Sequence, residues 1–217
     1  MLIGHYAPAF VVKSVEKTIP LWLLFLATLL LDIAWAFLVL LGIEKVRIVP
    51  GITASNPLDL YYLPFTHSLL AALVWSGIAF AVYKGLPKFR GTRRAAVLVG
   101  VVVFCHWVLD LLVHRPDLPL YGDVFKMGLG LWNYPVPALV LEAGLLVGGI
   151  FLYLRSTTAT SRGGKYGMAV FGLVMLLLQV GLSSGPPPPS PQALALTMLP
   201  FYFCSAGIVF WLERKRQ

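Results

Sequence analysis

Residues 104–120 read FCHWVLDLLVHRPDLPL. The run is apolar enough for burial, yet His106, Asp110 and His114 recur in it at intervals of four. On a helix of 3.6 residues per turn, side chains at that spacing share one face. Ionisable groups in hydrocarbon are costly and mark functional sites by default. The chain has four histidines, and two of them lie here. The stretch therefore reads as a lipid-spanning helix with a polar seam, and the rest of the chain is read against it.

The composition supports a membrane setting. The 217 residues are 59% hydrophobic and 12% charged, with a mean hydropathy of +0.83. A soluble domain carries about 25% charged residues. The net charge of +8 is no sign of nucleic acid as a partner, because the cations sit in short connections between apolar runs. The expected fold class is all-α: a polytopic membrane helix bundle of about six transmembrane helices, each needing about 20 residues. The expected spans are 21–43, 58–84, 95–114, 135–154, 166–182 and 192–212. The second is overlong and contains Pro64, which predicts a short pre-helix over 59–63, a break, then the main helix. Residues 44–56 and the Pro-rich 183–191 read as loops.

Residues 1–20 are too polar and too short to span. They predict an interfacial or re-entrant helix with Phe10, Val11 and Val15 toward lipid and Lys13, Glu16 and Lys17 toward water. No apolar run with a cleavage site precedes them, so they read as part of the mature chain. Cys105 and Cys204 read as inert packing residues. Thirteen of the seventeen Lys and Arg residues fall on the side of the N-terminus, among them Lys88 and Arg90 in the basic loop 85–94. Lys45, Arg47, Arg115 and Lys126 fall on the other. This bias predicts cytoplasmic N- and C-termini.

Asp32, His67, His106, Asp110 and Glu142 all fall in the first four expected spans. The last two contain no acid or histidine. Residues 21–154 are thus expected to form a site and 155–217 to serve as scaffold, within a single integral membrane domain. His106 and Asp110 point to one centre, and Asp32 and His67 lie at similar depth. Two imidazoles and two carboxylates suit a divalent metal, Zn²⁺ first, with Mn²⁺ or Fe²⁺ as alternatives. Glu142 reads as a further ligand or as the base that takes a proton from water. His114 and Arg115 are expected at the outer interface, as anchors or as contacts to an anionic headgroup, with Lys126 helping to steer it. Tyr121, Trp132 and Tyr134 read as interfacial aromatics.

Four short motifs also carry a resemblance. These are Gly4-His5, the Asp32 of LLLDIAW, the Thr66-His67-Ser68-Leu69-Leu70 run, and His106-x-x-x-Asp110. In order and spacing, the first half of the chain resembles the membrane-bound metal-dependent hydrolases of prokaryotes. The resemblance implies a prokaryotic inner (cytoplasmic) membrane and a metal or catalytic set of His5, Asp32, His67, His106 and Asp110. Many relatives carry a second acid two residues after the first. Here that position is Ala34, which favours one metal, or none, over a two-metal arrangement.

Three readings follow. The first is a hydrolase that uses metal-activated water on an amphipathic or lipid-like substrate, with membrane lipids as its partners and Asp110 and Glu142 as catalytic groups. The second is a transporter for a small solute, proton or metal ion along the same polar groups. The third is a non-catalytic membrane scaffold in which those groups join helices.

Overall fold

In hydrocarbon every backbone N–H and C=O must find a partner within the chain, so long apolar runs coil into helices. The computed structural model describes residues 1–86 and 92–217. Among these residues the helices are α1 (Tyr6–Val15), α2 (Leu21–Thr28), α3 (Leu30–Leu40), α4 (Leu69–Gly85), α5 (Arg93–Val113), α6 (Pro135–Ser156), α7 (Arg162–Ser184) and α8 (Pro191–Glu213). Strands β1 (Lys45–Ile48) and β2 (Leu58–Tyr62) form a hairpin between α3 and α4. Lys88 and Arg90 of the basic loop lie outside the described residues.

The helix starts follow capping chemistry. The hydroxyls of Thr92, Ser161 and Ser190 accept from the amides of Ala95, Gly164 and Ala193, pairing donors that the first turn leaves free. Pro135 and Pro191 occupy first-turn positions where no amide is needed. Helices α5 to α8 are each long and apolar enough to cross a membrane, and α2 with α3 makes a fifth candidate as a bent pair. The molecule is thus a helical integral membrane protein, with four to five candidate spans among the described residues.

Two expected spans take another form. Residues 21–43 do not make one straight helix, since α2 and α3 meet at 52°. The break has a tertiary cause. The Thr28 hydroxyl donates to the carbonyl of His5 (2.6 Å), and the Thr28 carbonyl accepts from His106 Nδ1 (2.7 Å). Contacts inserted into a helical ladder are a recognised source of kinks. The expected pre-helix at 59–63 is a strand. Leu58–Tyr62 pairs antiparallel with Lys45–Ile48, with Arg47 opposite Asp59 and their side chains in an ion pair. The long, aromatic and β-branched side chains of both segments suit a pleated ribbon. Helix α4 then has only 17 residues, or about 25 Å, against a hydrocarbon core of about 30 Å.

The N-terminal segment is not laid on the surface. Ile3, His5, Tyr6 and Phe10 are fully buried, so Phe10 faces the core rather than lipid, while Val11 and Val15 are exposed. Phe10 meets Phe25 and Tyr153, and Tyr6 stacks on Phe25. Lys13 is buried too. Its Nζ donates to the carbonyls of Lys17 and Ile19 and pairs with Glu213 at 2.6 Å.

Helix α1 lies against α6 at Gly149. A Cβ there would come within 3.1 Å of Ala7 Cα and 3.2 Å of Phe10 Cβ. Gly149→Val should therefore lower stability by about 1–3 kcal/mol through overpacking. Gly148→Val, whose Cβ would meet nothing within 4 Å, should be close to neutral in the same thermal melt.

The two ends of the bundle differ. At one end Lys17 meets Ser156, Arg94 faces Glu16, and Arg216 binds the carbonyls of Leu154, Thr157 and Gly164. At the other, the hairpin packs against residues 115–134, with the Ser55 amide on the Trp132 carbonyl and Lys126 Nζ on the Tyr61 carbonyl.

Candidate metal centre

The face predicted on residues 104–120 exists, and Asp110 is its hub. Its Oδ2 lies 3.1 Å from His106 Nε2 and 3.7 Å from His67 Nε2. Its Oδ1 lies 3.0 Å from His5 Nε2, 2.8 Å from the Met1 amino nitrogen and 3.6 Å from His114 Nε2. Asp32 Oδ1 completes the group, 3.5 Å from His67 Nε2 and 3.6 Å from His106 Nε2. The N-terminal segment, the α2–α3 bend, the turn before α4 and the last turns of α5 thus converge on one point.

Hydrogen bonds at the far side of each ring settle which nitrogen carries a proton. His106 Nδ1 faces the Thr28 carbonyl, which can only accept, so Nδ1 carries the hydrogen. The Thr66 hydroxyl donates to Glu44 Oε2 (2.5 Å), so it must accept from His67 Nδ1 (2.7 Å). His114 Nδ1 donates to Asp117 Oδ1 (2.8 Å). All three rings therefore turn Nε2 inward, toward carboxylates. A bare nitrogen lone pair at that distance from a carboxylate oxygen is repulsive, and His106 Nε2 has no hydrogen-bond partner. The arrangement calls for positive charge between the rings and the acids, supplied as several protons or as one metal ion.

Two overlapping groups of three could hold a metal ion. His67, His106 and Asp110 offer ligand atoms within 4.8 Å of one another, as do His5, Asp32 and His106. For His67, His106, Asp32 and Asp110 the four N–O separations run from 3.1 to 3.7 Å. Donors at Zn²⁺ distances in a tetrahedron stand about 3.4 Å apart. The carbonyl, hydroxyl and carboxylate behind the rings match the outer partners that metal-bound histidines keep. His5 joins on the other oxygen of Asp110, with its ring stacked on His106 at 3.8 Å.

Several expected placements change. Glu142 is buried, and its Oε2 accepts from the amides of Leu2 (2.8 Å) and Gly4 (3.4 Å), so it anchors the N-terminal turn while lining the cavity at the site. His114 is only 3% exposed, not at an interface. Trp132, read as an interfacial aromatic, is buried with its ring 4.3 Å from that of His114. Arg115 is held by Asp59 and Asp117 and Lys126 by Asp123. Neither lines the cavity.

Four contributors lie outside the set expected from the sequence. Glu44 lies 22 residues from Thr66, with no local spacing to link them. It accepts from the amides of Phe65 and Thr66 as well as from the Thr66 hydroxyl, and so fixes the turn that carries His67. The Thr28 carbonyl is a backbone group that only the bend frees. Asp117, three residues after His114, was open to detection as an i, i+3 pair. Tyr202 of α8 lines the cavity and interacts with Asp32, so the last helix does contribute to the site. Thr66→Val should remove the acceptor for His67 Nδ1 and weaken metal binding about 10–100-fold, read by competition with a chromophoric chelator.

The site opens into a cavity of about 400 Å³. Its walls are mostly apolar, with Trp35, Leu60, Leu63 and Leu139 among them, and its exposed lining residues, Ala54, Leu182, Ser183 and Ser184 among them, put its mouth at the hairpin end of the bundle.

No family model matches the chain, and no solved structure matches it. Among curated proteins it is similar to the human Mas-related G-protein coupled receptor member E, at 29% identity over 205 residues. That match covers 87% of this chain, which spans 59% of the receptor's length. The similarity agrees with a membrane-helical chain and does not bear on the buried His/Asp cluster.

Proposed function

We propose that this protein is an integral membrane, metal-dependent hydrolase acting on an amphipathic or lipid-like substrate. The observation that carries the reading is the donor set of two buried histidines, buried Asp110 and half-buried Asp32, whose rings are pre-oriented by hydrogen bonds and which opens into an apolar cavity. His67, His106, Asp32 and Asp110 would hold the metal, Zn²⁺ by donor type. A bound divalent metal supplies Lewis acidity and lowers the pKa of a water to about 7. Glu44 and Thr66 hold the His67 ring, and the Thr28 carbonyl holds that of His106. Glu142, on the cavity wall, offers Oε1 to take a proton, because Oε2 is committed to the Leu2 and Gly4 amides. The apolar walls exclude water and seat the substrate's chain.

The proposal places the protein in a prokaryotic inner membrane, with α4 as a short sixth span. The basic end of the bundle faces the cytoplasm, by the positive-inside bias, so the cavity opens toward the outer leaflet. Transport is the weaker alternative. The aromatic cluster of Tyr6, Phe10, Phe25 and Tyr153 packs the bundle on the side of the N-terminal helix away from the mouth, which argues against a through path.

Metal analysis and an ester-hydrolysis assay on the purified protein test the reading together. One bound divalent ion per chain is expected, with turnover lost in His67→Ala. A protein with no bound ion and no turnover after metal addition is not a metallohydrolase.

A further inference from the structure

The charge of the cavity wall bears on the substrate. Three carboxylates line it, those of Asp32, Asp110 and Glu142. Among the described residues no lysine or arginine side chain does. The two cations closest in sequence to the outer loops of the site are taken up elsewhere: Arg115 by Asp59 and Asp117, Lys126 by Asp123 and the Tyr61 carbonyl. The mouth offers only uncharged hydrogen-bonding groups, on Ser55, Asn56, Gln179, Ser183 and Ser184.

A divalent ion and the Met1 ammonium, which lines the cavity and pairs with Asp110 at 2.8 Å, together match the three carboxylates, so the loaded wall would still carry no excess positive charge. Sites that bind phosphate in low dielectric supply Arg, Lys, a cluster of backbone amides, or metal charge in excess of the acids that hold it. An anionic head brought here would lose its hydration against positive charge already matched by the three carboxylates, at a cost of several kcal/mol. An uncharged carbonyl loses far less on burial and needs only one donor or Lewis acid.

We infer that the cavity selects an uncharged acyl lipid, an ester or amide on an apolar chain, and rejects lipid phosphates. The inference rests on the hydrolase reading for its chemistry and on the cavity wall for its selectivity. In the reaction, the water oxygen bonds to the acyl carbon as the bond from that carbon to the leaving oxygen or nitrogen breaks. The leaving atom takes up the proton that the water gives up, and no co-reactant beyond water is consumed.

Binding can be read apart from turnover. The full-length protein in a neutral sugar detergent is titrated with methyl undecyl ketone and with dodecyl phosphate, and the ratio of the two Kd values is taken. The same ratio is measured for Ser184→Lys and Ser183→Lys, which place a cation at the mouth on exposed positions. Partition into micelles cancels between proteins.

The ketone is expected to bind at least tenfold more tightly than the phosphate, and the lysine variants to cut that preference by at least threefold. Equal or tighter binding of the phosphate, or a preference unmoved by both lysines, overturns the inference. A neutral acyl ester offered to the metal-loaded protein separates the two claims. Preference for the ketone without ester cleavage supports the ligand class and removes the hydrolase reading. Preference for the phosphate removes the ligand class and leaves the hydrolase reading standing.

Discussion

Asp110→Ala is expected to lose both the metal and much of the stability of the N-terminal segment. Asp110 is 1% exposed and takes contacts from Met1, His5, His106 and His114, with His67 just beyond. Removing one partner from a buried ionic cluster leaves its opposites uncompensated, at a cost of about 3–5 kcal/mol. Because His5 hangs on Asp110 Oδ1 and the chain from His5 to Phe10 fills the core, the loss should reach α1. Limited proteolysis should then cut first within residues 1–20. Asp110→Asn separates shape from charge. It keeps the size of the side chain, so most of the fold should survive while metal content falls to background. Full metal occupancy in Asp110→Asn would remove Asp110 from the ligand set.

Metal removal is the second large effect. A ligand that binds only the folded state stabilises it by RT ln(1 + [L]/Kd), about 4 kcal/mol at a thousandfold excess over Kd. For a chain of this length that corresponds to about 10 °C in Tm. The metal-loaded protein should therefore lose about that much on treatment with chelator and regain it when Zn²⁺ is restored. The His67→Ala variant should melt at one temperature with or without chelator, since half of its imidazole donors are gone. A native protein whose melting ignores both chelator and added metal would mean that the inward Nε2 atoms are met by protons alone.

The residues of the site were more legible than their arrangement. His106 and Asp110 announce themselves because helical periodicity is a local rule, and two ionisable groups four residues apart in an apolar run have few bland explanations. Asp32 and His67 follow from depth along their segments. Depth alone misplaced His114, which was counted as shallow because it closes the apolar run. The loop 115–134 folds back over it, with Trp132 on its ring and Asp117 on its Nδ1, and buries a residue that stands at a helix end. Arg115 and Lys126, expected to meet or steer a headgroup, are instead taken up by Asp59, Asp117 and Asp123, pairings fixed by loop conformation. For Asp59 that conformation is a hairpin that periodicity in five residues could not separate from a short helix.

The sequence by itself determined that this is a membrane protein of apolar helices and that its costly polar groups cluster on one face of residues 104–120. Composition and period are properties of the chain, and water and lipid act on them residue by residue. Only the tertiary structure decided what those groups do to one another. The α2–α3 bend presents the Thr28 carbonyl to His106, Glu44 reaches across to Thr66, and Asp117 takes His114. Each of these contacts holds an imidazole with its Nε2 inward. That orientation depends on distances between segments far apart in the chain, and it is what turns a polar seam into a candidate metal centre.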